Sequence, residues 1–161
     1  MRGMSLEGKQ LGVVGAGRIG QEVGRRARTF GMTTVYFSRH SAWDWEIETG
    51  AQRVELDALL STSDVVTIHL SLNDGSVGMI GARELSLMKH TAILVNTARG
   101  AIVDQDALIE ALRTHRIRAA ALDVFANEPD IPESLTSLEN AVLLPHLGSA
   151  TVETRNAMGF K

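Results

Sequence analysis

Cysteine is absent from all 161 residues. That excludes a disulfide framework and any chemistry run on a thiolate. It also agrees with a reducing, cytoplasmic setting. Excess positive charge is missing as well. Sixteen Lys and Arg face 19 Asp and Glu, a formal net charge of −3. No basic stripe stands out, so the sequence offers no electrostatic footprint for nucleic acid. The first ten residues, MRGMSLEGKQ, lack the apolar core of a secretory signal. No apolar run approaches the ~20 residues that a membrane-spanning helix needs. Repeats, low-complexity tracts and interior linkers are also missing. The remaining composition is that of a globular chain with a normal core, and it reads as one domain over residues 1–161.

What the chain does have is a glycine turn in a telling place. In KQLGVVGAGRIG, residues 9–20, an apolar run at 11–14 leads directly into Gly15-Ala16-Gly17-Arg18-Ile19-Gly20. A helical pattern follows, with Ile19, Val23, Ala27 and Phe30 on one face. A strand, a GxGxxG turn and a helix in that order form the dinucleotide-binding fingerprint. Gly15 permits the tight turn, Gly17 lets a pyrophosphate approach the backbone, and Gly20 lets the helix pack close to the sheet. The free N–H groups of the first helical turn, together with the helix dipole, favour the phosphates.

Short apolar runs alternate with helical patterns along the rest of the chain. The spacing predicts strands at 11–14, 33–37, 52–54, 65–69, 92–95, 119–122 and 142–144. It predicts helices at 18–30, 56–60, 82–88 and 105–114, and a last one from about residue 150, with Asp104 as an N-cap. Several strands are continuously apolar, as strands covered on both faces are. The expected fold is α/β: a doubly wound, mostly parallel sheet with helices on both faces. Trp43 and Trp45 are expected to anchor an irregular segment against that sheet. Arg25, Arg26 and Arg28 read as the wet face of the first helix, and His69 as structural.

Three further segments each follow a predicted strand directly: Asn96-Thr97-Ala98-Arg99-Gly100, Asp123-Val124-Phe125-Ala126-Asn127-Glu128-Pro129 and Pro145-His146-Leu147-Gly148-Ser149. They therefore share a sheet edge with the glycine turn. This brings an arginine, an acid and a histidine to the place where a nicotinamide ring would sit, the combination a 2-keto acid reductase needs. The fork of Arg99 suits a carboxylate and a keto oxygen. His146 can donate a proton as hydride arrives and accept one in reverse. Glu128 can hold the imidazole and favour its charged form. Asp123 can accept a hydrogen bond from the nicotinamide carboxamide.

These motifs resemble the coenzyme-binding domain of the D-isomer-specific 2-hydroxyacid dehydrogenases, a family that includes glyoxylate and hydroxypyruvate reductases. The matching stretches are GAGRIG (15–20), NTARG with IVD (96–104), ALDVFANEP (121–129) and PHLGSAT (145–151). The resemblance implies a catalytic Arg99, Glu128 and His146. It implies that the backbone at Arg18 and Ile19 meets the pyrophosphate, and that Thr97 and Asp123 line the nicotinamide site. It further implies a homodimer and a small 2-keto or D-2-hydroxy acid substrate, with no metal. A non-catalytic dinucleotide-binding and dimerisation module is the alternative. Two departures stand out. Ser71 stands where the family usually has a proline, which is expected to loosen the loop after the fourth strand. Full-length members also carry a second, substrate-covering domain that this chain lacks, so a fragment or truncated gene product, inactive alone, is expected.

The choice of dinucleotide turns on residues 37–40. NAD-selective sites place an acid after the second strand to bond the ribose 2′-hydroxyl. No Asp or Glu occurs between Glu22 and Asp44, and the strand ends in Phe37-Ser38-Arg39-His40. Ser38 and Arg39 suit a 2′-phosphate, so NADP is expected, with NAD as the alternative.

Overall fold

The computed structural model of the chain describes residues 3–159. Seven strands form one sheet: β1 (Gln10–Val14), β2 (Thr33–Phe37), β3 (Gln52–Arg53), β4 (Val65–Ile68), β5 (Ile93–Asn96), β6 (Ala119–Leu122) and β7 (Ala141–Leu143). Every pairing is parallel, in the order β3-β2-β1-β4-β5-β6-β7. The order reverses between β1 and β4. In such a sheet, ligands bind beyond the carboxyl ends of the strands at that reversal. The expected doubly wound α/β fold is the one observed.

The helices are α1 (Arg18–Thr29), α2 (Trp43–Thr49), α3 (Leu56–Thr62), α4 (Ala82–Leu87), α5 (Gln105–Arg113), α6 (Glu133–Thr136) and α7 (Val152–Gly159). Parallel strands need crossovers, and the helices supply them on both faces. The core is accordingly double. Leu11, Val13, Met32, Tyr36, Trp45 and Ala51 form a cluster on one face, under α1 and α2. Val14, Val35, Val66, Ile68 and Leu94 belong to the larger cluster on the other face, with Leu59, Leu85, Leu108 and Leu112 from α3, α4 and α5. Neighbouring residues of β1 and β2 thus feed opposite cores, as a period of two requires. That is why these strands read as continuous apolar runs.

Three features of the fold differ from what the sequence pattern predicts. Residues 43–49 are helical, not irregular. Their apolar residues, Trp43, Trp45 and Ile47, recur every second position, so no helical period shows. Only Trp45 is buried, against Tyr36 with ring centroids 5.2 Å apart, while Trp43 is 69% exposed. The apolar face of α1 is also different. Ile19 and Phe30 are exposed, and the helix packs through Gly20 and Gly24, with Val23 and Ala27 beside them. An ideal Cβ on Gly24 would lie 2.3 Å from the Trp45 ring, so the glycine sets how closely α1 approaches α2. Finally, two short helical turns, Gly100–Ile102 and α6, are too brief to leave a periodic signal. Asp104 does cap α5, accepting from the N–H groups of Asp106 and Ala107. The final predicted helix forms as α7, which buries none of its residues. Residues 160–161 of that predicted helix lie outside the described range. Among the described residues no helix is long and apolar enough to cross a membrane.

Candidate active site

The three fingerprint glycines do three different jobs. Gly15 has φ +104°, a conformation that L side chains rarely adopt, and its ideal Cβ would lie 2.8 Å from the His69 carbonyl. Gly20 is pressed onto the turn, since a Cβ there would lie 2.2 Å from the Gly15 carbonyl oxygen. Gly17 is the opposite case. Its backbone is extended and an ideal Cβ meets nothing within 4 Å. The fold does not need glycine at 17, whereas a ligand approaching the backbone does. Gly17 is also the N-cap of α1, brings no capping side chain, and is followed by no acid in the first turn. The first N–H groups of α1 therefore remain for an anion. Arg18 and Ile19 are exposed beside them. The donors present fit a pyrophosphate.

Beyond β1, β4 and β5 lies a cavity of about 410 Å³. Ile19, His69, Ser71, Thr97 and Arg99 are among its lining residues. Two of its walls are fixed by local hydrogen bonds. Asn96, buried at the end of β5, accepts from Ala98 N–H and donates to the Arg99 carbonyl, at 3.0 and 2.9 Å. That closes the Thr97–Arg99 turn. The opposite wall follows β4. Ser76, also buried, donates to the Ser71 carbonyl at 2.9 Å, and Asn73 Nδ2 donates to the same oxygen at 3.1 Å. The loop expected to be loosened at Ser71 is therefore tied down by its own side chains. Burial holds His69 below the usual imidazole range, so this cavity gains no positive charge from it near neutral pH.

A second cavity, of about 160 Å³, is lined by Glu128, Pro129, Pro145 and His146 together with Phe125 and Ile131. Its polar feature is an ion-pair geometry: His146 Nδ1–H donates to Glu128 Oε2 at 2.8 Å. The other oxygen, Oε1, accepts from Phe125 N–H at 2.9 Å. The hydrogen bond from His146 is the main reason the Glu128 carboxyl sits below the usual carboxylate range, with a smaller contribution from the charge of Arg99. Because Nδ1 carries the hydrogen in this bond, Nε2 is the nitrogen left for other partners.

Asp123 supports this pair from behind. It is buried after β6, and its two oxygens accept from Leu147 and Gly148 N–H at 2.6 and 2.8 Å. The carboxylate thus grips the two residues after His146, whose own φ is +55°. Such a backbone is uncommon for a residue with a side chain and persists where its surroundings impose it. Gly100 joins the arginine turn to the acid loop. An ideal Cβ there would lie 1.9 Å from the Phe125 carbonyl carbon. Asp123 is legible in the sequence as a site residue, but its grip on the histidine loop is not, nor is the role of Asn96 at the end of β5.

Ser38 and Arg39 lie past β2, half-buried and exposed respectively. They line neither cavity named above. The β2 end is joined to the glycine turn, since Gly15 N–H donates to the Phe37 carbonyl at 2.9 Å. Arg53 of β3 donates to the carbonyls of both Ser38 and Arg39, each at 3.1 Å. No local sequence signal connects residue 53 to the turn. Only the β2–β3 pairing, with Tyr36 opposite Arg53, brings it there.

Comparison with known proteins gives the family and the fold. Residues 1–148 match the family described as D-isomer specific 2-hydroxyacid dehydrogenase, NAD binding domain. The chain is 52% identical over 161 residues to a glyoxylate reductase of Aeropyrum pernix, covering 99% of this chain and 48% of the relative. It is 50% identical over 156 residues to a glyoxylate reductase of Thermococcus litoralis, covering 97% and 47%. A crystal structure of a glyoxylate reductase from Paecilomyes thermophila superposes with a TM-score of 0.93 at 42% identity, covering 99% of this chain and 48% of that one. The chain thus spans about half the length of the relatives it matches. It belongs to the NAD-binding domain family of the D-isomer specific 2-hydroxyacid dehydrogenases.

Proposed function

We propose that this chain is the coenzyme-binding half of an oxidoreductase that reduces a small 2-keto acid, of the glyoxylate or hydroxypyruvate class, with NADPH. The observation that carries the reading is the His146–Glu128 hydrogen bond at the same sheet edge as an open glycine turn. The wall that would cover the substrate, and the homodimer expected of the family, belong to the same proposal. That the chain matches only about half the length of its relatives supports this reading.

A reduced nicotinamide, when bound, would supply the hydride. The residues of this chain supply the rest. Arg99 pairs its guanidinium with the substrate carboxylate and leaves an N–H for the keto oxygen. His146 delivers the proton from Nε2 to that oxygen as it becomes a hydroxyl. Glu128, holding Nδ1–H, orients the ring and stabilises its positive form before the transfer. Asp123 keeps the histidine loop in register through Leu147 and Gly148 N–H, and would accept a hydrogen bond from the nicotinamide carboxamide. Thr97 would line the nicotinamide site, and the backbone at Arg18 and Ile19 would meet the pyrophosphate.

Coenzyme choice rests on Ser38 and Arg39. A charge-assisted hydrogen bond contributes about 1.5–3 kcal/mol. Arg39 is exposed, so solvent screens its part of that. A preference near tenfold for NADPH, about 1.4 kcal/mol, is expected. Paired titration of NADPH and NADH against wild type and Arg39→Ala, at fixed salt, tests it. Arg39→Ala should lose affinity for NADPH alone. Equal losses for both coenzymes would remove the NADP assignment.

A further inference from the structure

We propose that Arg53 is a positioning residue that shapes residues 38–40 into a nest for the 2′-phosphate of the dinucleotide. This rests on the NADP reading above and extends it to a residue remote in sequence. The guanidinium holds two successive carbonyls, Ser38 O through Nε–H and Arg39 O through Nη2–H. In a trans peptide the N–H points opposite the C=O. With both carbonyls drawn toward Arg53, the N–H groups of Arg39 and His40 face the other way, side by side. Neither N–H finds a partner among the described residues. Two adjacent backbone N–H groups in a turn make a concavity suited to an anion. Ser38 and Arg39 bring a hydroxyl and a second guanidinium to the same turn.

The far side of the turn is braced independently. Ser41 Oγ donates to Glu46 Oε1 at 2.9 Å, and Ala42 N–H donates to the Tyr36 hydroxyl at 2.8 Å. Tyr36 donates that hydroxyl hydrogen to Glu46. The hydrogen bonds from Tyr36 and Ser41 hold the Glu46 carboxyl below the usual carboxylate range, with a smaller contribution from the charge of Arg53. Glu46 is thereby committed to Tyr36 and Ser41, while Arg53 is committed to the two carbonyls. The turn is fixed from both ends before any ligand arrives, which lowers the ordering cost of binding.

The probes are adenosine 2′,5′-bisphosphate and 5′-AMP, which differ only in the 2′-phosphate. Both are titrated calorimetrically into the chain at fixed salt. Wild type should prefer the bisphosphate. Arg53→Ala should weaken the bisphosphate by about tenfold and change 5′-AMP by less than about twofold. Its melting temperature should match wild type, because the side chain is exposed. Arg53→Lys keeps the charge but not the fork, so it should retain only part of the preference. An Arg53→Ala variant with wild-type preference, or with equal losses for both probes, overturns the proposal. So does a lysine variant indistinguishable from wild type. If Arg39→Ala abolishes the preference while Arg53→Ala keeps it, the NADP reading stands and the nest falls. If wild type itself shows no preference, both fall.

Discussion

Gly17→Val should weaken dinucleotide binding by about a hundredfold, or about 2.7 kcal/mol, without changing the melting temperature. The stability half follows from the open space around an ideal Cβ at this position and from its extended backbone, which valine adopts readily. The binding half follows from what that space is for. A β-branched side chain at the N-cap of α1 keeps a pyrophosphate from the first N–H groups. The loss of even one hydrogen bond to a charged group costs about 1.5–3 kcal/mol. Gly20→Ala is the informative contrast. Its Cβ would lie 2.2 Å from the Gly15 carbonyl oxygen, so the helix must move. Overpacking of this kind costs about 1–3 kcal/mol of stability. Thermal melts beside calorimetric titrations separate the two effects. A Gly17→Val protein that binds NADPH like wild type would remove the pyrophosphate from the glycine turn.

His146→Ala should lower kcat by about 10²–10⁴-fold, the usual worth of a positioned general acid. The assay is reduction of glyoxylate by a full-length enzyme that carries this chain as its coenzyme half. KM should change far less, since Arg99 rather than His146 is assigned the carboxylate. Glu128→Gln separates orientation from charge. The amide can still accept from His146 Nδ1–H, but it no longer stabilises a positive ring. Reduction uses the protonated ring, so the rate falls as pH rises. In Glu128→Gln that fall should begin at lower pH than in wild type. A pH profile that coincides with wild type would break the assigned coupling. Linkage gives a matching sign for the fold. The carboxyl of Glu128 is held low, so its contribution to stability is present above the ordinary carboxylate range and is lost as pH falls through the lowered value. With both side chains more than a third exposed, that contribution is small.

The parts legible in the sequence were those whose physics is local. The β1 run, the glycine turn and the start of α1 lie within a dozen residues, and each glycine has a steric reason visible in the spacing. The segments at 96–100, 123–129 and 145–149 each follow a strand, and a parallel sheet carries all such segments to one edge. What escaped was set by pairing in space. Arg53 reaches Ser38 only because β3 lies beside β2. Asp123 grips Leu147 and Gly148 across 24 and 25 residues of chain. The helix α2 hides because only Trp45 needs to be buried, and Gly24 makes room for it. Ile19 and Phe30 satisfied a helical period and yet face solvent, because the glycines of α1 take the sheet side.

Coenzyme binding to the 161-residue chain itself is the most direct test, by calorimetric titration with NADPH and, separately, NADH. Saturable one-to-one binding of both, tighter for NADPH, is the expected result. No saturable binding of either coenzyme at millimolar concentration, in protein shown to be folded, would contradict the assignment of this chain as a working coenzyme half.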